Sequence, residues 1–309
     1  MTIQQLEYIV ALDNYRHFVK AAEHCFVTQP TLSMQVKKLE EEFGVQIFDR
    51  SQKKLVPTNA GIKILLKARQ IIREVKQLNE LVSNQMKSME GSFRLGIIPT
   101  LAPYLLPLFL PAFIKVNPQT KLIIQEQQTT DILNGLKNDL LDIGLLVTPV
   151  MEHDIREIPL FNEPFLAFFP EDFPLKGKEA IEAEALDLSQ LLVLTDGHCF
   201  RDQTLNICGH HGHAPGLNFD YQSGSIEALV NLVKQGVGYT LVPELAVKQC
   251  NFKGQIRRFQ TPEPVREVSL VVHNSFAKEA LIDSMRTEIL ANIPKSMLSQ
   301  KRYLRVNWR

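Results

Sequence analysis

The chain has 309 residues, 45% hydrophobic and 22% charged, too long for one small core, so two or more domains are expected. Its composition is that of an ordinary globular protein, without low-complexity tracts or evident repeats. The 34 basic and 34 acidic residues cancel, which removes any global sign of nucleic acid, membrane or acidic substrate and leaves only local patches to be read.

The N-terminal stretch carries Glu7 and Asp13 where a signal peptide would need its apolar run. The longest apolar run, Tyr104 to Ile114, is broken by Pro107 and Pro111 and falls short of the ~18 residues that span a bilayer. A cytoplasmic location with no membrane partner is the expectation. In a reducing compartment Cys25, Cys199, Cys208 and Cys250 are thiols by default, so any disulfide would be regulated rather than architectural.

Residues 3–13 read as a helix, with Ile3, Leu6, Ile9, Val10 and Leu12 as its apolar face. A short helix follows from Phe18 to Cys25, with Ala21 and Ala22 allowing close packing. After a brief break, Thr28 is a candidate N-cap and Pro30 a first-turn residue for a helix over residues 29–43. Leu32, Val36, Leu39 and Phe43 recur at helical spacing, and Gly44 is a stop. Helix, turn and helix with polar residues at the start of the second form a helix-turn-helix. Ile47 to Val56 reads as a hairpin with Arg50, Lys53 and Lys54 at its tip, a wing suited to phosphate contacts. Residues 1–58 nonetheless hold seven basic and seven acidic residues, so a solvated helical hairpin with no DNA partner is the competing reading.

Thr58 can cap a long helix reaching about Met89. Ile64, Ala68, Ile71, Val75, Leu78 and Val82 form a seam that Leu65 and Ile72 widen. Such a seam calls for a partner helix, and a symmetric dimer would present two recognition helices to two half-sites. Packing against its own chain is the alternative.

The stretch CFVTQPTLSMQVKKLE from Cys25, with FGV at Phe43 and IFDR at Ile47, resembles the LysR-type regulator family. That resemblance implies an α/β protein with an N-terminal winged helix-turn-helix, a long linker helix and a two-lobed effector domain like a periplasmic binding protein. The corresponding bounds are 1–58 for the winged domain, 59–90 for the linker, 91–164 with 269–300 for one lobe, 165–268 for the other, and 301–309 for a basic tail. From the family pattern and helix position, Gln29, Pro30, Thr31, Ser33 and Gln35 are expected near bases. Lys37, Lys38, Arg50, Lys53 and Lys54 are expected near phosphates.

Beyond residue 91, strands at 92–97, 121–127 and 143–147 alternate with helices at 103–116 and 132–140. A second unit has strands at 165–169, 191–194 and 239–242 and a helix at 225–235; a strand at 268–272 and a helix at 278–293 complete the chain. Alternation implies a parallel sheet with crossover helices, arranged as two lobes with ligands at strand carboxyl ends. Thr100 and Thr129 fall just past strand ends, where each could bond a small polar ligand or simply cap the next helix.

The stretch from Asp196 to Cys208, DGHCFRDQTLNIC, admits three readings. The thiols are unremarkable and buried; or they bind a metal with His198, His210, His211 and His213; or they form a redox pair. The nine-residue spacing disfavours structural zinc, whose ligands pair two to four residues apart. His198 and Arg201 flank Cys199 and could raise its thiolate fraction, and the sulfenic acid formed by peroxide could condense with Cys208. If residues 201–207 are helical, the two Cα atoms lie about 13 Å apart, whereas a disulfide needs roughly 4.4–6.8 Å. The segment would then have to refold for the bond to close.

GHCFRDQ with Cys208, together with GIIPT ending at Thr100, PYLLP from Pro103 and GVGYTLVP from Gly236, is similar to the hydrogen-peroxide-sensing subgroup of that family. The resemblance implies that Cys199 is the peroxidatic cysteine, Cys208 the resolving one, and Thr100, Thr129, His198 and Arg266 the surroundings of the peroxide. It further implies an activator of oxidative-stress genes that works with RNA polymerase, without cofactor or metal, as a dimer and then a tetramer, in the cytoplasm at the nucleoid. The histidines at 210–213 depart from the pattern, as do Lys295, Lys301, Arg302, Arg305 and Arg309, read as a solvated tail. Cys25 and Cys250 are expected outside the switch. A regulator reading a small organic effector and a thiol peroxidase are the competing functions.

Overall fold

The computed structural model describes residues 1–51, 55–82, 89–173, 180–183, 186–209, 221, 223–249, 256–298 and 303–306. The chain divides into two compact units, Met1–Ser88 and Met89–Arg309.

The first unit contains α1 (Ile3–Tyr15), α2 (Phe18–His24), α3 (Gln29–Phe43), the strands β1 (Phe48–Asp49) and β2 (Val56–Pro57), and α4 (Asn59–Val82). β1 and β2 pair antiparallel, as a wing requires. The local signals sit where the sequence placed them. Thr28 Oγ1 accepts the Thr31 N–H at 3.4 Å, Gly44 closes α3 at φ +67°, and Thr58 Oγ1 accepts the Gly61 N–H at 2.9 Å. Leu6, Ile9, Leu12, Leu32, Val36, Leu39 and Ile47 form one buried cluster.

The seam of α4 is only partly free for a partner. Leu65, Ala68 and Ile72 are buried in the unit's own core, so own-chain packing takes that face. Ile71 and Leu78 remain exposed on an adjoining face, and Ile62 and Leu66 on another. The reason is the buried cation of Arg69, which reaches Asp13 at 2.7 Å and Asn14 at 2.7 Å and draws α4 onto α1.

The second unit runs β3 (Gly91–Ile97), α5 (Ala102–Val116), β4 (Thr120–Glu126), α6 (Thr129–Lys137), β5 (Ile143–Thr148), β6 (Ile155–Phe168), β7 (Ala180–Ile181), β8 (Leu191–Leu192) and α7 (Cys199–Ile207). It continues with α8 (Ile226–Lys234), β9 (Tyr239–Pro243), α9 (Glu244–Gln249), β10 (Ile256–Phe259), β11 (Glu263–His273), α10 (Glu279–Asn292) and β12 (Tyr303–Arg305). The sheet order is β4-β3-β5-β11-β6-β10-β7, with β12 beside β11 and β9 between β6 and β8.

The sheet is mixed, not parallel throughout. β3 pairs parallel with β4 and β5, and β8 with β9, as the alternation suggested. β6 and β11 are long and antiparallel to each other, a pairing that strand–helix alternation does not foresee. Residues 155–164 of β6 pair with β11, and residues 165–168 pair with β9 and β10. One strand thus passes from one half of the sheet to the other. Residues 303–305 also depart from a solvated tail. β12 runs parallel to Glu263–Val265, and Arg305 meets Glu267 at 2.7 Å, which holds it by backbone pairing and charge.

Candidate functional site

Thr100, Thr129, His198, Cys199 and Arg266 all lie in the second unit and all are buried. Four elements supply them. Thr100 follows β3, Thr129 opens α6, His198 precedes α7, Cys199 is its first residue and Arg266 lies on β11.

The two threonines do not cap their helices. Arg266 Nη1 donates to Thr100 Oγ1 at 3.0 Å, and Nη2 donates to the Thr100 carbonyl at 3.0 Å. Thr129 Oγ1 reaches Cys199 Sγ at 3.8 Å, while the N-cap position of α6 is Gln128, without a side-chain cap bond. Both threonines therefore serve the site, through partners distant in sequence.

Cys199 is 5% exposed at the N-terminus of α7, where the helix dipole favours negative charge. Burial raises its thiol above the ordinary range. The charge of Arg266 opposes that rise most, followed by the Thr129 hydroxyl and the Phe200 N–H, while Asp202 reinforces it.

The cation near the thiol is therefore Arg266, as the resemblance implies, and not Arg201, which closeness in sequence suggests. Arg201 turns away, with Nε 2.8 Å from Asp196 and Nη1 donating to the Leu194 carbonyl at 3.1 Å. Residues i and i+2 lie on different sides of a helix, so closeness in sequence did not give contact. His198 is no cation either, since burial lowers its imidazole and leaves it neutral near pH 7. Its ring fits because residue 224 is glycine: a Cβ there would stand 2.8 Å from His198 Nε2.

Arg266 is anchored by a residue the sequence reading missed. Glu163 lies opposite it on β6, and its Oε2 receives Arg266 Nε at 2.9 Å and Nη2 at 2.8 Å. Its Oε1 receives the Leu245 N–H at 2.9 Å. Burial raises the Glu163 carboxyl, while the charge of Arg266, the Leu245 N–H and the Arg266 hydrogen bonds oppose that rise. The Arg266 guanidinium also covers the Phe200 ring at 5.3 Å, and that ring stacks 5.1 Å from Phe165.

α7 is helical from Cys199 to Ile207, and half-buried Cys208 is its C-cap. The two Cα atoms are thus separated by nine helical steps, about 13 Å. Both are free thiols, and burial pushes Cys208 up to about 12. Among the described residues no group of three His, Cys, Asp or Glu is placed to hold a metal ion. His210, His211, His213 and Cys250 lie outside the described residues.

In the first unit Gln29, Pro30, Lys37 and Lys38 are exposed on α3, and Thr31, Ser33 and Gln35 are half-buried. Gln35 Oε1 accepts from Gln5 Nε2 at 3.1 Å, and Lys37 lies 3.6 Å from Glu41. Met34, which the sequence reading passed over, is exposed among them. Arg50 is already engaged: it meets Glu40 at 2.8 Å and covers the Phe18 ring at 5.6 Å, so it clamps the wing to α3. Lys53 and Lys54 lie outside the described residues. No helix among the described residues is long and apolar enough to cross a membrane.

Residues 3–62 match the helix-turn-helix of the lysR family of bacterial regulatory proteins, and residues 87–292 match the LysR substrate binding domain. The chain belongs to the LysR family, with the winged helix-turn-helix and two-lobed α/β effector domain that this family combines. Among its relatives, a hydrogen peroxide-inducible genes activator of Dickeya chrysanthemi is 37% identical over 96% of this chain and 98% of its own length. The DNA-binding transcriptional dual regulator OxyR of Escherichia coli (strain K12) is 39% identical over 88% of this chain and 89% of its own. A full-length OxyR variant from Pseudomonas aeruginosa superposes with a TM-score of 0.82 at 35% identity, covering 95% of this chain and 99% of that one. A peroxide-bound OxyR mutant from Corynebacterium glutamicum gives 0.64 at 29% identity, covering 96% and 94%.

Proposed function

We propose that this protein is a DNA-binding transcription regulator that senses hydrogen peroxide through Cys199 and Cys208. The observation that carries the reading is Cys199 itself: a buried thiol at a helix N-terminus, touched by Thr129 and facing the Arg266–Thr100 pair, with a second thiol capping the same helix. The names of its relatives, peroxide-inducible activators, support the same class of signal.

In this reading peroxide sits among Thr100, Thr129, His198 and Arg266. The Cys199 thiolate attacks one peroxide oxygen; an S–O bond forms, the O–O bond breaks, and the second oxygen leaves as water after taking a proton. The thiolate of Cys208 then attacks the sulfenic sulfur, forming the disulfide and releasing a second water. Because nine helical steps separate the two residues, α7 unwinds for the bond to form. Each chain is oxidised once per signal, as a sensor and not as a peroxidase.

The bounds 1–58, 59–90, 91–164 with 269–300, and 165–268 describe its working parts: winged domain, linker, first lobe and second lobe. Gln29, Pro30, Thr31, Ser33 and Gln35 contact base edges of duplex DNA, and Lys37, Lys38, Lys53 and Lys54 contact phosphates. Arg50 contributes through its clamp on Glu40 and has less freedom for a phosphate. The exposed Ile71 and Leu78 of α4 meet a second copy, pairing two recognition helices on two half-sites, and two dimers form a tetramer. Oxidation alters these contacts and activates oxidative-stress genes through RNA polymerase, in the cytoplasm at the nucleoid.

Mass spectrometry after substoichiometric peroxide tests the chemistry. A 199–208 disulfide is expected, and a folded protein whose Cys199 remains a thiol would overturn the reading. Footprints on promoter DNA with and without peroxide should differ; identical footprints would leave a regulator of another signal.

A further inference from the structure

The site contains a buried charge that its chemistry does not use directly. Arg266 and Glu163 are 1% and 0% exposed and face each other across β11 and β6. Of the Arg266 donors, Nε and Nη2 go to one carboxylate oxygen, and Nη1 and Nη2 go to Thr100. The other carboxylate oxygen is held from behind by the Leu245 N–H at the start of α9. The guanidinium face rests on Phe200, the residue after Cys199. An unbroken chain of contacts thus runs from α9 through Glu163 and Arg266 to the beginning of α7.

We propose that Glu163 is a positioning residue for the reaction of Cys199: it fixes the Arg266 guanidinium in the site and sets how much of its positive charge the thiol feels. The inference rests on the functional reading above. In a dry interior an unpaired guanidinium would draw a neighbouring thiol strongly toward thiolate. A carboxylate in contact with that guanidinium cancels most of the pull. The reduced protein then holds Cys199 largely protonated, and the thiol is restrained until peroxide is present in the site.

Among the described residues, few groups bear on this titration. Arg266 on β11 opposes the burial of the thiol, and Asp202 on α7 adds to it. His198 beside it is held neutral by burial. Glu163 stands on β6, with Glu244 of α9 as its acidic neighbour, and Glu244 is itself paired with Arg258 at 2.8 Å. Of these, only Glu163 touches Arg266 as its counter-ion.

The test is the pH profile of the Cys199 rate constant with peroxide, read by quenching and mass spectrometry in the full reduced chain. The profile of iodoacetamide alkylation is measured in parallel. Glu163→Gln keeps an acceptor for Arg266 but removes the charge. Its midpoint should fall by at least about one pH unit in both profiles, raising the rate about tenfold below the midpoint. A midpoint that stays or rises overturns the proposal.

If Glu163→Gln does not fold, Glu163→Asp decides the matter. It keeps the charge and shortens the reach, so the midpoint should hold while the peroxide rate falls by about tenfold or more; an unaltered rate overturns the proposal. In the unaltered chain, a Cys199 that is alkylated yet inert to peroxide would sink the functional reading. A peroxide-reactive chain indifferent to these substitutions would sink only the role of Glu163.

Discussion

Helices α3 and α7 both follow an extended residue, and both present their first turn to a candidate site, yet they differ in their N-terminal cap and in their buried side. α3 has a side-chain cap from Thr28 and a left-handed glycine stop at Gly44. α7 has no side-chain cap bond at His198, and its C-cap is Cys208, one residue before the left-handed Gly209 at φ +68°. The buried side of α3 is apolar along Leu32, Val36 and Leu39, and its buried acid, Glu40, is satisfied by Arg50 and the Ile47 and Phe48 N–H groups. The buried side of α7 mixes Phe200 and Leu205 with Gln203 and Thr204. Gln203 Nε2 donates to the Val306 carbonyl at 2.6 Å, but among the described residues Gln203 Oε1 and Thr204 Oγ1 have no hydrogen-bond partner. Buried polar atoms left unpaired each weaken a fold by about 1–3 kcal/mol. One helix is thus made to persist while it reads DNA; the other is held loosely enough to be given up, as the proposed switch requires, when a disulfide claims both its ends.

The largest effect expected from this contrast is at the first residue of α7. Cys199→Ser should abolish disulfide formation and the peroxide-dependent change in the DNA footprint while leaving basal DNA binding intact. A variant that still responds to peroxide would place the sensor elsewhere. Cys208 should show the next largest effect. With its thiol pushed up to about 12, it is almost fully protonated at pH 8 in the reduced helix. Its alkylation by iodoacetamide should be about a thousandfold slower than that of an ordinary exposed cysteine. It should speed up once Cys199 is oxidised and α7 loosens. The linkage has a definite sign: in the unfolded chain this thiol ionises near pH ~8.5, whereas in the fold it stays neutral up to about 12. Its contribution to stability is therefore full below ~8.5 and is lost as pH rises toward 12, so the reduced second unit should melt earlier in alkali. Alkylation of Cys208 at an ordinary rate in the reduced protein would remove this half of the contrast.

A core deletion in α3 comes third. Leu39 is completely buried in the first unit, and Leu39→Ala should lower that unit's unfolding free energy by about 3 kcal/mol in urea. The effect should leave the Cys199 rate constant unchanged. A loss well below 1 kcal/mol would mean that α3 is no more firmly held than α7.

Sequence made one of these helices far more legible than the other. α3 announces itself through local chemistry: a capping threonine, a first-turn proline, four-residue apolar spacing and a glycine stop. Those signals act within a few residues, so they can be read in order. The site around Cys199 is assembled from partners separated by as much as 166 positions, as between Thr100 and Arg266. Thr129 looked like an ordinary helix opener because nothing nearby in sequence shows that Cys199 will face it. Arg201 was favoured as the thiol's cation because it is two residues away, and helix geometry turned it toward Asp196 instead. Glu163 gives no signal at all, being an acid in a largely apolar strand whose partner is 103 positions on. The long strands β6 and β11 were foreshortened for a related reason. Pro159, Pro164 and Pro264 interrupt their alternation, and β11 shifts register between Val268 and Ser269.

The smallest effect expected is also the one that bears most directly on the contrast. Thr204 is buried in the middle of α7, and among the described residues its hydroxyl has no partner. Thr204→Val replaces that hydroxyl with a methyl group of nearly the same size. It should stabilise the reduced helix by about 1 kcal/mol, because an unsatisfied polar atom is exchanged for apolar contact. The first oxidation does not require unwinding, so sulfenic acid should form on Cys199 at an unchanged rate. The disulfide does require it, so closure should slow by about fivefold, the factor that ~1 kcal/mol gives when it falls wholly on the barrier. Stopped-flow kinetics with a sulfenic-acid trap separates the two steps. If both steps slow together, α7 already moves when peroxide reacts. If neither slows, the helix is not what stands between the two thiols, and its loose construction has another cause.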